Sequence, residues 1–164
     1  PRAIAGRRAT GDRGRIARGE RHQQSVLRDE LAPLATRPSL AIPTWFYGHE
    51  PSNVFATGIA KFFDNASREE LVLALPERGI VFAPGSAGTM QEIFQDLAQN
   101  HYATYGSRSP MVFLGSAHWG ELVGFIRRFA AAKGMQAAYG ELIHLCDSAS
   151  EAAEFIAAHP PRQA

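Results

Sequence analysis

Short apolar runs alternating with amphipathic stretches constrain this chain more than any other feature. Ile80-Val81-Phe82-Ala83, Met111-Val112-Phe113-Leu114 and Leu142-Ile143-His144-Leu145-Cys146 are each four or five residues long and almost wholly apolar. That is too short for a buried helix and right for a strand covered on both faces. Between and after them lie segments of helical period. The first carries Ile93, Phe94 and Leu97. The second carries Leu122, Phe125, Ile126 and Phe129 and stops near Gly134. The last, capped at Asp147 or Ser148, carries Ala153, Phe155 and Ile156 and is ended by Pro160. Strand–helix–strand repetition of this kind predicts an α/β fold, a parallel sheet with helices on both faces. In such sheets ligands bind beyond the carboxyl ends of the strands, so function belongs in the strand-to-helix turns.

Upstream the pattern is less regular. Ser39-Leu40-Ala41-Ile42 and Thr44-Trp45-Phe46-Tyr47 read as strands separated by Pro43. Phe55, Ile59, Phe62 and Phe63 fall at helical spacing after the start signals Pro51, Ser52 and Asn53. Ser67-Arg68-Glu69-Glu70 reads as a capping box that opens another helix, closed by Gly79. Residues 1–38 hold nine arginines against four acidic residues and show almost no apolar period. The remaining 126 residues hold 8 basic and 12 acidic side chains, so the overall charge of +1 averages two unlike parts. The expected organisation is a basic, atypical segment 1–38 followed by an α/β domain over 39–160. Interleaved aromatics and a binding module are missing from the arginine segment, so nucleic acid is not the expected partner.

A single cysteine, Cys146, excludes an intrachain disulfide and a Cys-rich zinc site. With no apolar run near the ~20 residues of a membrane span, a cytoplasmic protein without a membrane partner is expected. The six histidines are scattered and form no HExxH pair, so neither a metal site nor a cofactor is expected. His144 and Cys146 read as core strand residues, His118 and Trp119 as packing or capping at a helix start, and Phe55, Phe62, Phe94 and Phe125 as core aromatics.

The informative turn is Pro84-Gly85-Ser86-Ala87-Gly88-Thr89-Met90-Gln91-Glu92. A buried strand ends, two glycines turn the backbone, and a helix begins. Amide groups and the positive end of the helix dipole then face the crevice, ready for an anion. Thr89 adds a hydroxyl and Glu92 lies one turn further on. With no lysine after the second glycine it is not a Walker A loop, and with no third glycine it is not a standard dinucleotide fingerprint.

The string resembles the PGGxGTxxE motif of the Lonely Guy (LOG) family, once described as lysine-decarboxylase-like, and the resemblance covers roughly residues 39–158. The run from Ile42 through Glu50-Pro51 to Glu92-Ile93-Phe94-Gln95-Asp96 is similar to a longer actinobacterial branch of Rossmann-like nucleotide-binding proteins. The resemblance implies a Rossmann-like sheet. It also implies hydrolysis of the N-glycosidic bond of nucleoside 5′-monophosphates to free base and ribose 5-phosphate, and a homodimer. Gly85, Ser86, Ala87, Gly88 and Thr89 would hold the phosphoribosyl part, with Glu92 as the catalytic glutamate and Arg68 as its arginine partner. His49 and Asn53, in another strand-to-helix turn, are further candidates for ligand contact. Three departures stand out: Ser86 replaces the motif's second glycine, Glu69 follows Arg68 where the family has lysine, and residues 1–38 lack the family's early glycine-rich turn. The sequence is therefore expected to be N-terminally incomplete. A non-catalytic nucleotide- or cofactor-binding module is the alternative reading.

Overall fold

The computed structural model describes residues 37–43, 53, 55–135 and 139–163. The chain divides into two units, 1–68 and 69–164.

In the first unit, β1 (Leu40–Ala41) pairs in parallel with β2 (Gly58–Ile59), Leu40 opposite Gly58 and Ala41 opposite Ile59. The helix expected over Phe55–Phe63 is replaced by this strand and its loops. Side-chain spacing there imitates a helix, but the backbone is claimed by a partner far away in sequence. Thr57 and Gly58 both donate amides to the Ser39 carbonyl, and the Ser39 amide donates to Thr57 Oγ1 at 2.9 Å. Gly58 would also have weakened a helix interior. The Thr44–Tyr47 strand lies outside the described residues. Helix α1 (Asn65–Ala74) begins ahead of the expected cap. Asp64, not Ser67, closes its first turn, accepting from the Ser67 amide at 2.9 Å and from the Ser67 hydroxyl at 2.7 Å. Arg68 therefore sits in the second turn rather than at the first helical position.

The second unit holds a three-stranded parallel sheet in the order β3 (Ile80–Phe82), β5 (Met111–Leu114), β6 (Ile143–Cys146). Helix α2 (Ala87–Tyr102) and the short β4 (Ser107–Arg108) connect β3 to β5; α3 (Ser116–Ala132) connects β5 to β6. Helix α4 (Ala149–Ala158) follows, and β7 (Arg162–Gln163) returns antiparallel to β4. The register sets Ile80, Met111 and Ile143 in one row and Phe82, Phe113 and Leu145 in another. Because side chains alternate along a strand, both rows point to the same face, where Ile93 and Leu97 of α2 and Trp119, Val123 and Ile126 of α3 complete the larger core. The intervening residues Val112, Leu114 and Cys146 point to the other face, against Ala152, Phe155 and Ile156 of α4. The apolar run of β5 is thus explained by a sheet covered twice, as the α/β, Rossmann-like reading requires, while Val81 of β3 remains 44% exposed.

Candidate functional site

The sheet delivers three turns side by side at the carboxyl ends of β3, β5 and β6. Gly115, after β5, has φ of +106°, and a Cβ on it would lie 3.3 Å from Pro84 of the turn after β3. Its amide donates to the Cys146 carbonyl at the end of β6, at 2.8 Å. Asp147 then caps the start of α3, accepting from the Ser116 amide and hydroxyl, each at 2.7 Å. Those two bonds hold the Asp147 carboxyl below the usual carboxylate range.

Within the β3–α2 turn the glycine requirement is steric. A Cβ on Gly85 would come within 2.1 Å of Thr89 Oγ1, so the Thr89 side chain occupies the space beside that backbone. A Cβ on Gly88 would meet nothing within 4 Å. Ser86 occupies the N-cap of α2 without a side-chain capping bond. Met90 donates to the Ser86 carbonyl at 3.0 Å, so the amides of Ala87, Gly88 and Thr89 precede the first helical bond and emerge at the helix start. Such amides, aligned with the helix dipole, form an anion-receiving geometry. Gly85, Ser86 and Ala87 are exposed, Gly88, Thr89 and Glu92 half-buried. Glu92 is three residues past Thr89 and shares its side of the helix.

Two residues beyond the expected set also act on this turn. His118 lies in the first turn of α3, and its Nε2–H donates to the Gly85 carbonyl at 3.1 Å. Its ring packs edge-on against Trp119, which is buried. Glu69 is the second. It is 1% exposed, and Gln91 Nε2 donates to its Oε2. The residue that departs from the family pattern after Arg68 is thereby tied to the residue preceding Glu92. The departure itself was the signal available in the sequence; nothing in the spacing of His118 pointed to Gly85.

Arg68 and Glu92 fall in different units. In the first, Arg68 donates from Nε to Asn65 Oδ1 at 3.1 Å and from its guanidinium to the Ile42 carbonyl at 3.4 Å. Asn53 is exposed and its Oδ1 accepts from the Phe55 amide at 3.0 Å, shaping a turn rather than capping a helix. His49 lies outside the described residues.

Phe94 and Phe125 are not core aromatics: each is about half exposed. With Tyr102 and Phe129 they line a groove of about 590 Å³ between α2 and α3. A second cavity, of about 180 Å³, is polar and includes Asp96, Gln99 and Asn100. Asp96 is 3% exposed, accepts from Asn100 Nδ2 through Oδ1, and among the described residues has no partner for Oδ2; burial pushes its pKa up to about 7. No helix among the described residues is long and apolar enough to cross a membrane.

The family model described as "Possible lysine decarboxylase" matches residues 23–156, beginning ahead of residue 39, where the resemblance was expected to start. No curated protein matches the sequence. Matched over most of its length, and carrying a glycine turn between β3 and α2 on a doubly covered parallel sheet, the chain belongs to this lysine-decarboxylase-like family, the LOG family of Rossmann-like proteins.

Proposed function

We propose that the chain binds a nucleoside 5′-monophosphate at the Pro84–Thr89 turn and hydrolyses its N-glycosidic bond. The supporting observation is the close approach of Thr89 to Gly85 directly ahead of the emerging α2 amides. The amides of Ala87, Gly88 and Thr89 and the Thr89 hydroxyl, with the backbone of Gly85 and Ser86 beside them, would receive the phosphate. Rupture of the C1′–N bond leaves positive charge on the ribose ring, which the Glu92 carboxylate stabilises while it takes a proton from the attacking water. The base departs with the bonding electrons and gains a proton, and the water oxygen stays on C1′ of ribose 5-phosphate. Arg68 belongs to the same proposal as the group that fixes phosphate or departing base, with His49 and Asn53 as further ligand contacts. We place the enzyme in the cytoplasm, where a lone thiol stays reduced, and as a homodimer joined through the aromatic groove.

Release of free base from a panel of nucleoside monophosphates tests this reading. Release from at least one substrate, abolished in Glu92→Gln, is expected. Glu69, buried where the family has lysine, favours a second reading in which the turn binds nucleotide without hydrolysis. Calorimetric binding with no product from any substrate would select that second reading.

A further inference from the structure

Strand β6 places His144 and Cys146 two residues apart, hence on the same face of the sheet, the face that α4 covers. The Ser148 hydroxyl accepts from the Glu151 amide at 3.1 Å and fixes the first turn of α4 over that strand end. Glu151 is thereby brought to His144: Nε2 to Oε1 is 3.2 Å. Phe155, one turn further along α4, stacks on the imidazole at 4.2 Å and 9° and holds the ring plane. Cys146 is buried beneath, its thiol turned to the Ser148 carbonyl at 3.7 Å. One thiol, one imidazole and one carboxylate thus offer donor atoms that all lie within 4.8 Å of one another.

We propose that His144, Cys146 and Glu151 form a binding site for a divalent cation of zinc type, with a fourth position left to water. Ligand bonds of about 2.0–2.3 Å in a tetrahedron require donors about 3.3–3.8 Å apart. The side chain of Glu151, 51% exposed, has room to close the remaining gap. The donor set is chemically selective. Thiolate with imidazole suits zinc, whereas magnesium and calcium prefer all-oxygen sites. The carboxylates of Glu151 and Asp147 beside the thiol create a field that attracts a cation. On binding, the thiol proton leaves to solvent, and the imidazole presents Nε2 to the cation with its hydrogen on Nδ1. Thiolate and carboxylate together neutralise the two positive charges. The cation would tie the end of β6 to the first turn of α4, a role separate from nucleotide hydrolysis.

Cobalt titration of the reduced chain tests the site without any assay of activity. Because Cys146 is the only cysteine, a thiolate-to-cobalt charge-transfer band reports this site and no other. The expected result is a band saturating at one equivalent and displaced by zinc. Cys146→Ser should abolish it, and Glu151→Gln should weaken cobalt binding at least about tenfold with unchanged circular dichroism. Glu151 is exposed, so its substitution leaves the core intact. Absence of the band at excess cobalt would overturn the proposal. So would a band of undiminished affinity in both Glu151→Gln and His144→Ala, which would leave an ordinary His–Glu hydrogen bond above a core cysteine.

Discussion

A side chain on Gly85 would collide with Thr89, and that exclusion shapes the turn between β3 and α2. Gly85→Ala should lower the stability of the fold, because overpacking of this kind costs about 1–3 kcal/mol. Thr89 Oγ1 is the closest atom to the new methyl group, so Thr89→Ala should recover part of the loss of stability. A double-mutant cycle on denaturation midpoints measures it, and strict additivity would deny the contact. Glu92→Gln should lower turnover about 10²–10⁴-fold while calorimetric affinity changes little; equal losses in both would make Glu92 a binding group only. Asp96 is a third residue with a checkable signature. Its folded pKa of about 7 lies above the ordinary carboxyl value of 3.8, so the folded state holds a proton that the unfolded state releases. Stability attached to this group is therefore present below pH 3.8 and is lost as pH rises towards 7. The decline is on the order of 1 kcal/mol per pH unit. Urea denaturation between pH 4 and 7 should show that slope in the native chain and a flatter one in Asp96→Asn.

At the scale of elements, the start of α1 and the start of α2 are built differently. Asp64 accepts both groups of Ser67 and its carboxyl is held below the usual range by those bonds. A depressed carboxylate stabilises above its unfolded pKa and loses that contribution as pH falls through the folded one, so Asp64→Ala should lower Tm at neutral pH and have little effect in strong acid. Helix α2 has no such side-chain cap at Ser86 and is anchored further in, through Gln91 and the buried Glu69. An intramolecular hydrogen bond contributes about 0.5–1.5 kcal/mol. Gln91→Ala should lose an amount of that order in urea denaturation, and an unchanged midpoint would remove Gln91 as the anchor. The strands β3, β5 and β6 were legible from their residues because both faces are apolar, a pattern that short segments produce only when doubly covered. The segment 55–63 was not. Its phenylalanine spacing is helical, but the hydrogen bonds that decide its conformation come from Ser39, and local periodicity carries no trace of a partner 18 residues away. The capping box at Ser67 and Glu70 was misplaced for a related reason: Asp64 is an equally good cap, and only the observed turn chooses between them.

For the molecule as a whole, the aromatic groove between α2 and α3 is a feature that packing among the described residues does not consume. Phe94, Phe125 and Phe129 are each about half exposed and Tyr102 more so, which leaves an apolar face of the kind that subunit contacts bury. If the homodimer proposal holds, sedimentation velocity should find a dimer that Phe125→Glu converts to a monomer of unchanged circular dichroism. A wild-type chain already monomeric at micromolar concentration would refute it. Residue spacing by itself determined the alternation of strands and helices, the place of the glycine turn between β3 and α2, and the residues Gly85 to Glu92 that carry the family's motif, because these follow from local period and local turn chemistry. The tertiary structure decided what lies across from that turn. It brought Gly115 and His118 to Pro84 and Gly85, set Glu69 under Gln91, left Phe94 and Phe125 outside the core, and gathered His144, Cys146 and Glu151 around one point. Each is a contact between residues whose separation along the chain is free, and only the register of β3, β5 and β6 and the seating of the helices on their two faces determine which of them meet.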